Sequence, residues 1–445
     1  MSLFRLLLAL GLAMLVALPA PARAVGLLRD AGMEYGLNQL ARPIIEAAGL
    51  PASRIRILVI NDMSLNAFVT NGRAVFIHAG LILRLQSSEA LQAVIAHEVA
   101  HIANGHYVRR NMNAQNAQRN SLLGLAAGIA AGVASGNPAL GAGIAQGTAG
   151  SALGVFLSHT RAEEAAADKS GLRYLARAGI PPSAMAEVFE LFAGQEALAP
   201  ERQSAWARTH PVSRERARAA ENFAAVLSPR TTDRTKTEYW YQRARGKLSA
   251  YLRSPSYTLD RVGLSDMSHH ARIQRAMAYY KMPDMTRARA EVGGLIDAKP
   301  EDPYFHELLG WMEIESGNAE RAVDAYREAA ALAPREPMIL AGYGRSLLAL
   351  NTPATDKEAL ETLEAARARD RSNQRLLRDL AVAYARTGNN GMASLSTAQR
   401  YDAMGRREDA RLHAARAVDQ LPVGSPGWSR AQDIMRATEP NRTRR

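Results

Sequence analysis

The chain has no cysteine among its 445 residues. That excludes disulfides, thiolate metal sites, a cysteine nucleophile and a lipid-bearing N-terminal cysteine. Aromatic residues are few, at 6%, and acids are outnumbered, 43 against 55 lysines and arginines, for a formal charge of +12. Neither shortage signals disorder, because 47% hydrophobic and 22% charged residues are ordinary for a globular chain. The length fits about two to three domains. A basic excess suits nucleic acid, an anionic membrane surface or acidic partners, and equally suits solubility alone. No nucleic-acid-binding motif accompanies it, so that class is set aside.

Long apolar runs are missing except at the start. Met1-Ser2-Leu3-Phe4-Arg5 leads into an apolar run from Leu6 to Leu18, followed by Pro19 and Ala22-Arg23-Ala24. This is the plan of a secretory signal cleaved after Ala24, and the run is short for a membrane span, which needs about 20 residues. Removing residues 1–24 deletes Arg5, Arg23 and no acid, which takes the charge from +12 to +10. Export without cysteine is compatible with a bacterial periplasm. Asp, Glu, Lys and Arg are absent from Asn120 to Thr160, where Gly/Ala-rich arms at Leu122–Ala134 and Ala139–Leu157 flank Asn137-Pro138. These read as a closely packed helical hairpin, with peripheral membrane contact as the sharper alternative.

What remains divides into a chemical half and a repetitive half. Ile55–Ile60 reads as a strand. Asn66–Thr70 and Arg73–His78 flank Asn71-Gly72, the pairing expected of a β-hairpin. Ser88 is the expected N-cap of a helix running to about Asn104, with Glu89 in its first turn. On that helix lies His97-Glu98-Val99-Ala100-His101. The spacing puts both imidazoles on one face, one turn apart, where they can bind one metal ion. Glu98 beside them can take a proton from the attacking water. Two imidazoles and a carboxylate with one open position suit zinc. Arg161-Ala162-Glu163-Glu164-Ala165-Ala166-Ala167-Asp168 supplies the carboxylate. Glu164 and Asp168 share a helix face, so one can ligate while the other orients a ligand imidazole; Glu163, on another face, is the competing choice.

After the polar break at residues 228–233, residues recur with a period of 34: Ala276, Ala288 and Pro300 return as Gly310, Ala322 and Pro334. Within 303–336 the order Leu309-Gly310, Gly317, Ala322, Tyr326, Ala329, Pro334 is a tetratricopeptide pattern, with small residues where helices touch and a large one filling the gap. Later units keep Gly344 and Ala359, then Leu380-Ala381, Tyr384 and Gly388, then Ala398, Tyr401, Gly405, Ala410, Ala414, Ala417 and Pro422. About four repeats are expected, forming an α-solenoid suited to a peptide or protein partner.

The run Asn66-Ala67-Phe68, Gly72, Gly80-Leu81, His97-Glu98-x-x-His101 and His106, followed by Arg161-x-x-Glu164-x-x-Ala167-Asp168, resembles the HtpX and CAAX-prenyl-protease family of zinc metallopeptidases. With an export signal and C-terminal repeats, the chain resembles the periplasmic branch of that family. The likeness covers about residues 25–434. It implies a mainly α fold: a gluzincin-like metallopeptidase domain with a small β-sheet or hairpin over 25–228, a repeat domain over 235–434 and a basic tail at 435–445. It implies one zinc ion per chain on His97, His101 and Glu164, with Glu98 as general base and Asp168 behind the ligands. His210, in Thr209-His210-Pro211, would take zinc's fourth position and gate the site. Arg214 is a candidate oxyanion contact, and His106 is read as supporting or structural. The implied substrates are unfolded or misfolded outer-membrane and envelope proteins, with the repeats docking on the outer-membrane β-barrel assembly machinery. A non-proteolytic chaperone or adaptor with a silent zinc site is the alternative. The chain departs from the family at His78 and Ala79, where Pro or Gly is frequent.

Overall fold

A computed structural model gives the fold. It describes residues 26–439 apart from 71, 107, 110–111, 113–160, 199–201, 205, 208–209, 211–212 and 228–232. The expected signal at 1–24, the Gly/Ala-rich arms, Thr209, Pro211 and the end of the basic tail lie outside the described residues. Contacts divide the chain into two units: residues up to Arg29 with Ala41–Thr232, and Asp30–Leu40 with the residues from Asp233 on. The boundary runs through the first helix, α1 (Ala31–Ala47).

Among its described residues the first unit holds four strands: β1 (Leu27–Leu28), β2 (Arg56–Ile60), β3 (Ala67–Val69) and β4 (Ala74–His78). The hairpin expected around Asn71-Gly72 forms, pairing Val69 with Val75, Phe68 with Phe76 and Ala67 with Ile77. The Phe68 and Phe76 rings stack across it with centroids 5.3 Å apart. Gly72 has φ +66°, the left-handed value such a turn needs; Asn71 lies outside the described residues. Two features go beyond the sequence reading. Strand β2 pairs in parallel with β4, and β1 adds antiparallel to β2, giving the order β1-β2-β4-β3. β3 is therefore left on an edge. Ile57 to Ile60 are all buried, consistent with a continuous apolar run on a paired central strand.

Helix α2 (Ala79–Arg84) follows the sheet and leads to α3 (Ser88–Ala103). The N-cap of α3 is Ser87, one residue before the expected Ser88. Ser87 is extended, and its side chain accepts from the Ala90 N–H, which places Ser88 inside the first turn. All of α3 from Ala90 to His101 is buried. A helix apolar on most sides is a core element, so its histidines and glutamate are polar groups set into a core. Helix α4 (161–177) lies against it, and a Cβ on Gly171 would stand 3.4 Å from the Ala96 backbone. Asn104 at the end of α3 donates to Ser170 Oγ at 3.3 Å. Helices α5 (Ala184–Leu191) and α6 (Arg214–Val226) follow in the same unit, α6 being capped by Ser213.

The second unit is helical throughout its described length. A first pair, α7 (Thr235–Leu252) and α8 (Pro255–Arg261), is followed by five more: 269–281 with 285–298, 303–315 with 319–332, 337–350 with 353–369, 374–386 with 390–403, and 407–420 with 426–437. Consecutive helices pack on one another along the chain, an α-solenoid. The small-residue signature does what the repeat pattern implies. Ala276, Ala288, Ala322 and Ala329 are buried, and a Cβ on Gly310 would stand 2.6 Å from the Tyr326 ring. There are more helix pairs than the four or so repeats expected, because α7 and the last helix pack without that signature. The last helix, Pro426–Ala437, also runs past residue 434. No helix among the described residues is long and apolar enough to cross a membrane.

Candidate metal centre

Helices α3 and α4 bring the motif residues together. His97 and His101 project from one face of α3, with Nε2 atoms 3.1 Å apart. Glu164 on α4 places Oε2 3.2 Å from His97 Nε2 and Oε1 3.3 Å from His101 Nε2. His210 supplies a fourth group: its Nδ1 lies 3.2 Å from His97 Nε2 and 2.9 Å from Glu164 Oε2. All four side chains are buried, and one ligand atom from each falls within 4.8 Å of the others.

This convergence tests whether a metal ion fits. His97 Nε2 faces His101 Nε2, His210 Nδ1 and Glu164 Oε2 at 3.1 to 3.2 Å. An imidazole nitrogen carries at most one hydrogen, so it cannot satisfy three such neighbours by hydrogen bonding. One cation at their centre satisfies all of them, and imidazoles with a carboxylate are a donor set for divalent transition metals. The residues present fit a metal ion.

Glu98 sits next to the cluster and is fully buried, and neither of its carboxylate oxygens has a hydrogen-bond partner. Oε1 lies 3.4 Å from His210 Nε2. His210 therefore turns one nitrogen to the ligand cluster and the other to Glu98. Behind the cluster, Asp168 Oδ1 lies 3.1 Å from His97 Nδ1. His106 Nδ1 lies 3.1 Å from His101 Nδ1. Glu163 points elsewhere, with Oε1 3.9 Å from Arg109 Nη1.

Arg214 stands exposed at the start of α6. The guanidinium that reaches the cluster is that of Arg216, which the sequence reading missed. Its Nε and Nη2 donate to the two Asp168 oxygens at 2.7 and 2.8 Å, and Nη2 lies 3.3 Å from Glu164 Oε2.

The electrostatics follow from burial set against these partners. Burial works against a charged His97, yet hydrogen bonds and charge from Asp168 and Glu164 outweigh it and raise His97 to about 10. His101 goes the other way, to about 3, chiefly because burial dominates and the neighbouring imidazoles add to it. Burial penalises the Glu164 carboxylate, but His210, His101 and His97 hold it well below the usual carboxylate range. Asp168 is likewise lowered against burial, by His97 and Arg216. Perturbed groups gathered on a core helix mark a functional site.

A His-Glu-x-x-His helix, a glutamate from a second helix and a small sheet beside them define a metallopeptidase domain. Residues 34–224 match the model of peptidase family M48. The protein is a metallopeptidase, and the part of it that holds the cluster is similar to peptidase family M48. It is 23% identical over 407 residues to the Beta-barrel assembly-enhancing protease of Escherichia coli (strain K12), covering 90% of this chain and 81% of that protein. It is 24% identical over 284 residues to a putative Beta-barrel assembly-enhancing protease of Vibrio cholerae, covering 62% of this chain and 57% of that one. It is 27% identical over 187 residues to the mitochondrial metalloendopeptidase OMA1 of Schizosaccharomyces pombe, covering 42% and 52%.

Proposed function

We propose that the protein is a periplasmic zinc-dependent endopeptidase that cuts misfolded or stalled outer-membrane and envelope proteins. The observation that carries this is the convergence of His97, His101, Glu164 and His210 beside a buried Glu98 whose carboxylate makes no hydrogen bond. Five of the six residue pairs bring donor atoms to 2.9–3.3 Å, close to the edge of about 3.3 Å of a tetrahedron with zinc–nitrogen bonds of about 2.0–2.1 Å. His97, His101 and Glu164 hold the zinc in this reading, one ion per chain. Zinc bound there supplies Lewis acidity to the scissile carbonyl and to the attacking water. Glu98 takes the proton of that water and returns it to the leaving amine. Asp168 fixes the orientation of His97 through Nδ1.

The sheet order supports an extended substrate. β3 lies on the edge, and a stretched chain can add to it by main-chain hydrogen bonds, which makes binding tolerant of sequence. The helix pairs of the second unit then dock the enzyme on its clients or on the outer-membrane β-barrel assembly machinery. Residues 1–24 act as the export signal, 25–228 as the peptidase domain and 235–434 as the docking domain.

His210 gates the site. Its Nδ1 occupies the fourth position of the cluster while its Nε2 lies against Glu98, so one ring withholds both the open metal position and the base. The same contacts favour a second reading, a chaperone or adaptor whose zinc site is silent. Stripping the metal with a chelator and restoring zinc decides between them: cleavage of casein is lost and then regained if the protein is the peptidase. Full cleavage by the metal-free protein overturns the zinc mechanism.

A further inference from the structure

Between the sheet and the cluster lies Trp206, a large aromatic residue only 1% exposed. One face of its indole stacks on Phe192, with centroids 4.3 Å apart and planes 26° from parallel. His210 lies 5.1 Å from the indole at 31°, and the His97 ring 5.8 Å from it. The backbone is held as well. The Trp206 N–H donates to the Leu65 carbonyl at 3.0 Å, and the His210 N–H donates back to the Trp206 carbonyl at 2.7 Å. Leu65 lies two residues before β3, and the residue between them, Asn66, accepts from the His78 N–H at 2.9 Å.

We propose that Trp206 is the positioning residue for His210, seating its imidazole against the ligand cluster from an anchor at the edge of the sheet. The proposal rests on the reading of His210 as a metal ligand and adds what holds it there. A histidine on a connecting segment has several rotamers and a mobile backbone, and a ligand group held loosely spends most of its time elsewhere. Here the bond from the His210 N–H to the Trp206 carbonyl ties the two backbones together. The indole wall removes the space into which the imidazole would swing. Phe192, at the C-terminal end of α5, backs the indole from the far side. The Leu65 bond ties the Trp206 backbone to the segment that leads into β3. The indole packs on the His210 ring, so its effect on the chemistry runs through that imidazole.

The test uses the full chain loaded with cobalt(II), whose visible absorption reports the ligands around the ion without turnover. Wild type is compared with His210→Ala, Trp206→Ala, Trp206→Leu, Trp206→Phe and the Trp206→Ala/His210→Ala double variant, each also assayed on casein. Trp206→Ala and Trp206→Leu are expected to move the cobalt spectrum toward that of His210→Ala. They should raise cleavage about three- to tenfold, the range that losing one aromatic pair allows. Trp206→Phe restores the wild-type spectrum because a flat ring remains. The double variant matches His210→Ala, with no added effect. Folded Trp206→Leu protein with the wild-type spectrum and cleavage rate overturns the proposal, since a purely packing role leaves the ion's ligands alone. Trp206→Leu keeps apolar bulk, so misfolding of the alanine variant does not remove the test. If His210→Ala itself leaves the spectrum unchanged, it is the reading of His210 that fails, and the Trp206 proposal fails with it.

Discussion

Asp168 holds His97 from behind: its Oδ1 lies 3.1 Å from Nδ1 of the ring whose Nε2 faces the ligand cluster. A carboxylate at this place favours the tautomer with its hydrogen on Nδ1, which leaves the Nε2 lone pair for the metal. The same carboxylate accepts both Arg216 nitrogens. Ligand, carboxylate and guanidinium thus form one chain running from α3 through α4 to α6.

Asp168→Asn keeps the shape and removes the charge. Metal affinity is expected to fall about 10- to 100-fold, the usual effect of altering a partner of a ligand histidine. Titration of the metal-free variant with zinc against a competing chelator measures it. Affinity equal to wild type would show that His97 needs no help from behind.

Arg216→Ala leaves Asp168 buried without its bidentate partner. Removing one member of a buried pair costs about 3–5 kcal/mol, so the unfolding transition of the first unit should shift down by several degrees. Arg216→Lys is expected to recover little, because an ammonium cannot match the two parallel bonds to Asp168. Thermal unfolding of the three proteins checks this, and full recovery by lysine would contradict it.

The second unit carries a pH-sensitive group. Lys247 Nζ lies 2.5 Å from Asp30 Oδ2 and 3.6 Å from Glu307 Oε2. Burial pushes the Glu307 carboxyl up to about 7 against the pull of Lys247, and Asp30 and Glu336 push it the same way as burial. A folded-state value raised above the ordinary 4.5 means that the fold favours the neutral acid. That stabilisation is fully present below the unfolded value and is lost as pH rises through about 7. Glu307→Gln cannot ionise, so relative to wild type it should gain about 1–3 kcal/mol between pH 5 and pH 8. Denaturant unfolding at the two pH values measures the difference, and an equal stability gap at both would contradict the prediction.

Much of this site was legible because its signals are local. His97, Glu98 and His101 announce themselves by a four-residue spacing on a helix free of Gly and Pro, and Asn71-Gly72 marks the hairpin for the same reason. Glu164 and Asp168 were both visible as candidates. Which one faces the cluster depends on how α4 lies against α3 at Gly171 and Ala96, a tertiary fact that spacing does not carry. Arg216 carries no local signal, because it is one of several arginines on one helix, and only packing against Asp168 and Glu164 singles it out. The parallel pairing of β2 with β4 has no local signature, since the pairing residues are far apart in the chain. Helices such as Thr235–Leu252 extend the solenoid without the Gly and Ala pattern that marks Gly310 and Ala322, so the repeats were undercounted.

The central claim is that Glu98 acts as the base beside a metal held by His97, His101 and Glu164. Casein cleavage by Glu98→Gln, with zinc content measured on the same preparation beside wild type, tests it most directly. The account predicts one zinc per chain in both proteins, with cleavage by wild type and none by the variant. A zinc-loaded Glu98→Gln protein that cleaves casein as fast as wild type would contradict it.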